Sequence, residues 1–258
     1  MYFCKVNWKI IHIEETDSTN RWVREKFAPS KLGVSSEQTG SFLGANSDFV
    51  VWTDYQTAGR GCGTNRWESE RGRNLLFSLL IHPVDVPASQ QFRITEWASV
   101  ALCETLEHYL HCPVEIKWPN DIYVGDRKIC GMLIENTLKG STIKDSIIGI
   151  GLDVNQRMFH SDAPNPVSMW QLTGQEFDRE ELLHAFLQTF DAVLTRKTAS
   201  NDYRNRLYRR LGKHAFKDAN GLFMAEIACV HPDGRLELCD DNGQTRLYAF
   251  KEVQYILG

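Results

Sequence analysis

The chain has 258 residues, of which 42% are hydrophobic and 24% charged, with a formal net charge of −4. Those values describe an ordinary globular chain, long enough for one large or two smaller domains, without the basic surface that nucleic-acid binding needs. No apolar run approaches the ~20 residues of a bilayer-spanning helix, and the first residues lack the basic, apolar and cleavage regions of a secretion signal.

Residues 8–15 predict a short strand, after which Asp17 or Ser18 can cap a helix running through Phe27. The Gly-, Ser- and Pro-containing stretch 28–47 reads as a loop. Residues 48–57 are rich in β-formers and lead into 54-DYQTAGRGCGTNRWESERGRN-74. A buried strand over 74–83 is stopped by Pro83. From Ser89 to Leu110 the apolar positions follow a helical stripe. Strands are expected at 114–118, 121–124 and 128–136, and a buried one with two glycines at 146–155. Asp178 and Glu181 have the spacing of a capping box for a helix reaching about Lys197. A shorter helix covers about 201–211. Beyond Gly212 short alternating runs are separated by Asn220–Gly221, Asp233–Gly234 and Asn242–Gly243, which predicts a small β-barrel or sandwich. The expected division is therefore a catalytic domain over 1–211 and a β domain over 212–258. Seven cysteines, with no C-x-x-C and no histidine pair at zinc spacing, point to reduced thiols and a cytoplasmic protein.

Four segments could carry chemistry. The Gly-rich stretch follows a strand but matches neither a dinucleotide fingerprint nor a P-loop, and a plain surface loop is the alternative. Its glycines would let backbone N–H groups approach an anion, its arginines add charge, and its tryptophan offers a flat face for a base. In 117-KWPNDIYVGDRKICGMLIEN-136, Lys117 and Lys128 would point into one pocket if strands 114–118 and 128–134 lay side by side; exposed edge charges are the alternative. Ser18, Thr19 and Asn20 cluster at a helix start, where capping explains one of them. Glycines within IGIGLDVN (148–155) mark either a ligand's approach or strand packing.

Taken together and in this order, DSTN, QTAGRG with its following tryptophan, KWPNDIYVGDRKICGMLIE and GIGLDVN resemble the biotin protein ligases over roughly residues 14–155, and the β-rich tail resembles their SH3-like C-terminal domain. The resemblance implies an α+β catalytic domain with a mixed sheet. It implies ATP-dependent formation of biotinyl-5′-AMP with Mg²⁺ present, then transfer of biotin to a lysine of a biotin carboxyl carrier protein. Ser18, Thr19, Asn20 and Gln56 would line the biotin pocket. Gly59, Arg60, Gly61 and Cys62 would lie along the carboxylate and phosphate. Lys128 would be the chief catalytic residue and Lys117 a second charge. Asp121 would hold Mg²⁺ or orient the acceptor lysine. Trp67 would cover the adenine with Asn120 and Asn155 nearby, and Gly131 and Gly149 would admit biotin close to the backbone.

One departure stands out. Relatives commonly carry a basic residue at or just after position 62, where this chain reads Gly61-Cys62-Gly63-Thr64. A charge-assisted hydrogen bond contributes roughly 1.5–3 kcal/mol, so a leakier adenylate is expected unless Arg66, Arg71 or Arg73 substitutes. Alternatives are a lipoate or octanoate ligase, a biotin-sensing binding protein, and a repressor with a DNA-binding domain. With 17 residues before Ser18 the last is not expected, nor is membrane association; a monomer or weak homodimer fits.

Overall fold

The computed structural model describes residues 8–27, 48–63, 65–160 and 164–257. The loop expected over 28–47 and the residue Thr64 lie outside them. Strands β1 (Lys9–Thr16) and β2 (Phe49–Gln56) run parallel, with Lys9 opposite Phe49. The antiparallel strands β3 (Leu75–Ile81), β4 (Glu115–Lys117), β5 (Asp121–Val124), β6 (Arg127–Lys139) and β7 (Thr142–Leu152) complete a seven-stranded mixed sheet in the order β1-β2-β3-β7-β6-β5-β4.

β3 is buried along its whole length because both faces are covered. Leu75, Phe77 and Leu79 face helices α2 (Phe92–Leu110) and α4 (Arg179–Leu194), where Phe77 meets Phe186 edge-on at 5.3 Å. Each such side chain stabilises the fold by roughly 1.5–3 kcal/mol. The opposite face takes the shorter helix α1 (Thr19–Phe27), whose Val23 packs with Val51, Leu80 and Ile147.

Local signals hold with corrections. Asp178 caps α4, accepting from the Glu180 and Glu181 amides at 2.8 and 3.0 Å. The box expected there is not closed: the Tyr109 hydroxyl donates to Glu181 at 3.4 Å. A reciprocal capping box forms instead at Ser168 and Gln171, opening α3 (Met169–Thr173). The helix expected over 201–211 is α5 (Ala199–Asn205), and it stops early because the chain beyond it pairs with β4. Ile116 donates to Arg206 at 2.7 Å and Tyr208 donates back to Ile116 at 2.9 Å.

Strands β8 (His214–Asp218), β9 (Gly221–Val230), β10 (Leu236–Asp240), β11 (Thr245–Tyr248) and β12 (Gln254–Tyr255) form an antiparallel sheet in the order β11-β10-β9-β8-β12. Its inner residues, among them Phe216, Leu236, Leu238 and Tyr255, join the same buried cluster as the large sheet. Trp118 Nε1 donates to the Gly234 carbonyl at 2.9 Å, and Arg209 donates to the Ile256 carbonyl at 2.7 Å. Among the described residues no helix is long and apolar enough to cross a membrane, and the six described cysteines are free thiols.

Candidate active site

One row of cross-strand partners crosses the α1 face of the large sheet: Lys117, Asp121, Gly131, Gly151 and Leu76. Two residues along, Leu133, Gly149 and Ser78 form the next row on that face. The strands bearing the two lysines do not lie side by side, which was the condition for a shared pocket; β5 lies between them and brings Asp121 to both.

Lys128 reaches this face through an irregularity. Strict alternation would send it toward the core with Cys130 and Met132. The β5–β6 register slips, pairing Ile122 with Cys130 and Tyr123 with Lys128, so Ile129 is an extra residue. Ile129 and Cys130 then both enter the core, and Lys128 turns outward with Asp121. Its backbone is held on the other side too: Lys128 N donates to Asn165 and Val167 N donates to the Lys128 carbonyl, each at 2.8 Å. The bulge re-aims one side chain and the second pairing fixes it.

Lys128 Nζ lies 2.7 Å from Asp121 Oδ1 and 5.6 Å from the centre of the Trp67 ring. Burial opposes the charge on Lys128, but Asp121's charge and hydrogen bond outweigh it and hold the pKa above the ordinary lysine value. Lys117 goes the other way. Burial lowers its pKa, against the pull of Asp121 and with the repulsion of Lys128 and Arg209. Its ammonium lies 5.1 Å from the Tyr123 ring and 5.5 Å from that of Tyr255.

At the other end of the face, Ser18, Thr19 and Asn20 are all buried. The Thr19 amide donates to Gln56 Oε1 at 2.9 Å; the Ser78 hydroxyl lies 2.7 Å from Thr19 Oγ1 and 2.6 Å from Asn20 Oδ1. Asn20 Nδ2 donates to the Leu133 carbonyl at 3.1 Å and to Glu135 at 2.9 Å. Gly149 is the floor beneath Asn20: an added Cβ would stand 2.7 Å from the Asn20 Cγ.

Between the two ends lies Trp67. A Cβ on Gly131 would meet its ring at 2.9 Å and one on Gly151 at 2.5 Å. Its indole Nε1 is buried with no hydrogen-bond partner, a donor turned into the site without an acceptor. The Gly-rich loop closes as a small hairpin, with Gly61 N donating to Asn65 at 2.8 Å and Trp67 N to Gly59 at 3.1 Å. Arg60 stands exposed on it and Cys62 is half-buried. Two of the arginines considered as substitutes at position 62 are engaged elsewhere: Arg71 pairs with Glu15 and Arg73 with Glu176.

Asn120 and Asn155 are turned to the backbone. Asn120 Nδ2 donates to Met132 at 2.9 Å, while Asn155 binds the carbonyl and amide of Phe177 at 2.8 and 2.9 Å. Two residues escaped the sequence reading. Lys251, at positive φ (72°) in the small sheet's last turn, donates to the Cys62 carbonyl at 3.3 Å. No local pattern joins positions so far apart. Asp153 lies within GLDVN, read there for its glycines. It is buried, its carboxyl pushed well above the usual range by desolvation and partly offset by Lys128, and it accepts from Asn74 at 2.9 Å. A cleft of about 440 Å³ bordered by Glu115, Arg209 and His214 shares no residue with this face other than through β4 itself.

The family model described as biotin/lipoate A/B protein ligase matches residues 19–153. The bifunctional ligase/repressor BirA of Bacillus subtilis is 32% identical over 165 residues, covering 61% of this chain and 50% of that protein. The biotin–[acetyl-CoA-carboxylase] ligase of Mycobacterium tuberculosis is 27% identical over 172 residues, covering 63% of this chain and 62% of that protein. The chain thus spans about half the length of the BirA relatives it matches. The structure of the Aquifex aeolicus biotin protein ligase with biotin and ATP aligns at a TM-score of 0.72 and 22% identity, over 96% of this chain and 99% of that one.

Proposed function

The chain belongs to the biotin/lipoate A/B protein ligase family, and from that membership we propose that it is a biotin protein ligase, adenylating biotin with ATP and passing it to a lysine of a biotin carboxyl carrier protein. The observation that carries this reading is the division of one sheet face: a buried polar cluster at one end, a lysine–aspartate pair at the other, and a glycine floor under a tryptophan between them. Biotin has that shape, with a hydrogen-bonding ureido ring, an apolar chain and a carboxylate.

Ser18, Thr19, Asn20, Gln56 and Ser78 would receive the ureido end. Lys128, kept charged by Asp121, would hold the biotin carboxylate against the α-phosphoryl oxygens. A carboxylate oxygen bonds to the α-phosphorus, the bond to the bridging oxygen breaks, and pyrophosphate leaves with the electron pair. Such a step depends chiefly on position and charge neutralisation. Arg60 and Lys251 would add charge from the loop side. In the second step the amine of the acceptor lysine attacks the acyl carbon, AMP departs and the amine loses a proton. Mg²⁺ is ordinarily held by one or two carboxylates together with substrate phosphates, and Asp121, the carboxylate in this row, is already engaged by Lys128. We therefore read Asp121 as the partner of Lys128 and of the acceptor, with Mg²⁺ accompanying ATP.

The polar cluster also favours biotin over lipoate or octanoate. Its hydroxyls and amides already bond one another, yet they keep spare hydrogen-bonding capacity that a ureido ring can use and an aliphatic or dithiolane end cannot. The proposal includes a catalytic unit over 1–211, a small unit over 212–258, a monomer or weak homodimer in the cytoplasm, and no nucleic-acid partner given the net charge of −4. Pyrophosphate–ATP exchange with biotin, lipoate and octanoate offered separately tests the core of it. Exchange with biotin alone is expected; exchange with either other acid in its place overturns the reading.

A further inference from the structure

The small sheet carries a side-chain cluster that this reaction does not use. Cys229 on β9 and Glu237 on β10 are cross-strand partners, and His231 follows two residues after Cys229. Cys229 Sγ lies 3.5 Å from Glu237 Oε2, and His231 Nε2 lies 2.7 Å from the same oxygen. The three ligand atoms all fall within 4.8 Å of one another. A register slip makes the meeting possible. Leu238 pairs with Ile227 but Glu237 pairs with Cys229, so Ala228 is the extra residue. The slip turns Cys229 and His231 to the outer face while Val230 and Leu236 stay in the core.

We infer that Cys229, His231 and Glu237 form a binding site for a thiophilic divalent cation, zinc foremost, with a water or an outside ligand in the fourth position. The bond lengths of tetrahedral zinc to sulfur, nitrogen and oxygen place its ligand atoms roughly 3.3–3.6 Å apart. The sulfur–oxygen separation already has that value. The nitrogen–oxygen separation must open by less than about 1 Å, a small side-chain rotation for half-exposed residues. A thiol beside an imidazole and a carboxylate selects a first-row transition ion over Mg²⁺ or Ca²⁺, which prefer oxygen alone.

The location gives the ion a structural consequence. His231 N donates to Arg235 at 2.9 Å and Gly234 N to His231 at 2.8 Å, closing the β9–β10 turn directly above the cluster. At its tip the Gly234 carbonyl accepts from Trp118, in the segment that holds Lys117 and Asn120. A bound ion would fasten the neck of the turn that braces that segment.

The test uses the full chain, stripped with chelator and titrated with Co²⁺ as a spectroscopic stand-in for Zn²⁺. One equivalent should produce an intense thiolate-to-cobalt charge-transfer band, and added Zn²⁺ should abolish it. Cys229→Ser should remove the band. His231→Gln and Glu237→Gln should each weaken binding by roughly tenfold or more, at least the loss seen when outer-shell partners are removed. Circular dichroism checks that each variant is folded. No charge-transfer band in the wild-type protein, or a band that survives Cys229→Ser, overturns the assignment. Neither result depends on ligase activity.

Discussion

At Gly149 there is no room for a methyl group, because the Asn20 amide occupies the space where a Cβ would stand. Gly149→Ala should push Asn20 from its bonds to Ser78, Leu133 and Glu135 and cost roughly 1–3 kcal/mol, the usual range for overpacking. A urea midpoint equal to that of the wild type would refute the contact. Lys128 is the residue on which the proposed chemistry rests. Lys128→Met should lower biotin-dependent exchange by about 10²–10³-fold, the loss typical of one removed electrostatic donor; exchange within a few-fold of wild type would move the chemistry elsewhere. Lys117 makes a pH prediction. Its folded pKa is lowered from the ordinary 10.5, so just below that pH the unfolded chain binds more protons than the folded one. Stability from this group therefore rises with pH through the window between its folded pKa and 10.5. Lys117→Met should flatten that slope relative to wild type, measured by chemical denaturation at a series of pH values.

Elements set these residues in place by departing from their ideal periods. β6 has one residue too many against β5, and that surplus, Ile129, is what turns Lys128 from the core to the site. Deleting Ile129 would set Lys128 directly before Cys130, where regular alternation keeps it on the site face, so exchange should persist at a stability lowered by the loss of one buried isoleucine; a folded deletion variant without exchange would show that the bulge itself places the ammonium. Helix α4 illustrates an ordinary local contribution. Asp178 satisfies two of its free amides, so Asp178→Ala should cost about 1 kcal/mol and lower the thermal midpoint without altering the biotin dependence of exchange.

At the scale of the molecule, the small sheet touches the Gly-rich loop through Lys251 and the KWPND segment through Gly234. A lysine from the far end of the chain thus stands beside position 62. If that contact retains the intermediate, Lys251→Ala should speed release of preformed biotinyl-5′-AMP, and adding Cys62→Arg should slow it again. Release that is indifferent to Lys251 would leave the loop without its proposed latch. Cys62→Arg alone should then give a smaller gain than the sequence had suggested, since Lys251 already stands there.

Strand order along the chain, the capped helix α4, the apolar stripe of α2 and the turn-rich β tail were all legible, because propensity, capping and hydrophobic period are local quantities. So were the motif residues Ser18, Thr19, Asn20, Gln56, Trp67, Asp121 and Lys128, which the structure brings to one face. The commitment of Asn155 to Phe177, the intervening strand between the lysines, the early end of α5 and the reach of Lys251 were not legible. Each is decided by a partner distant in sequence. The bulges at Ile129 and Ala228 belong with them: alternation in one strand says which way a side chain points only until its neighbour fixes the register. The amino-acid sequence by itself determined which elements form and which residue types they carry, and only the pairing of strands across the sheet decided which of those residues meet.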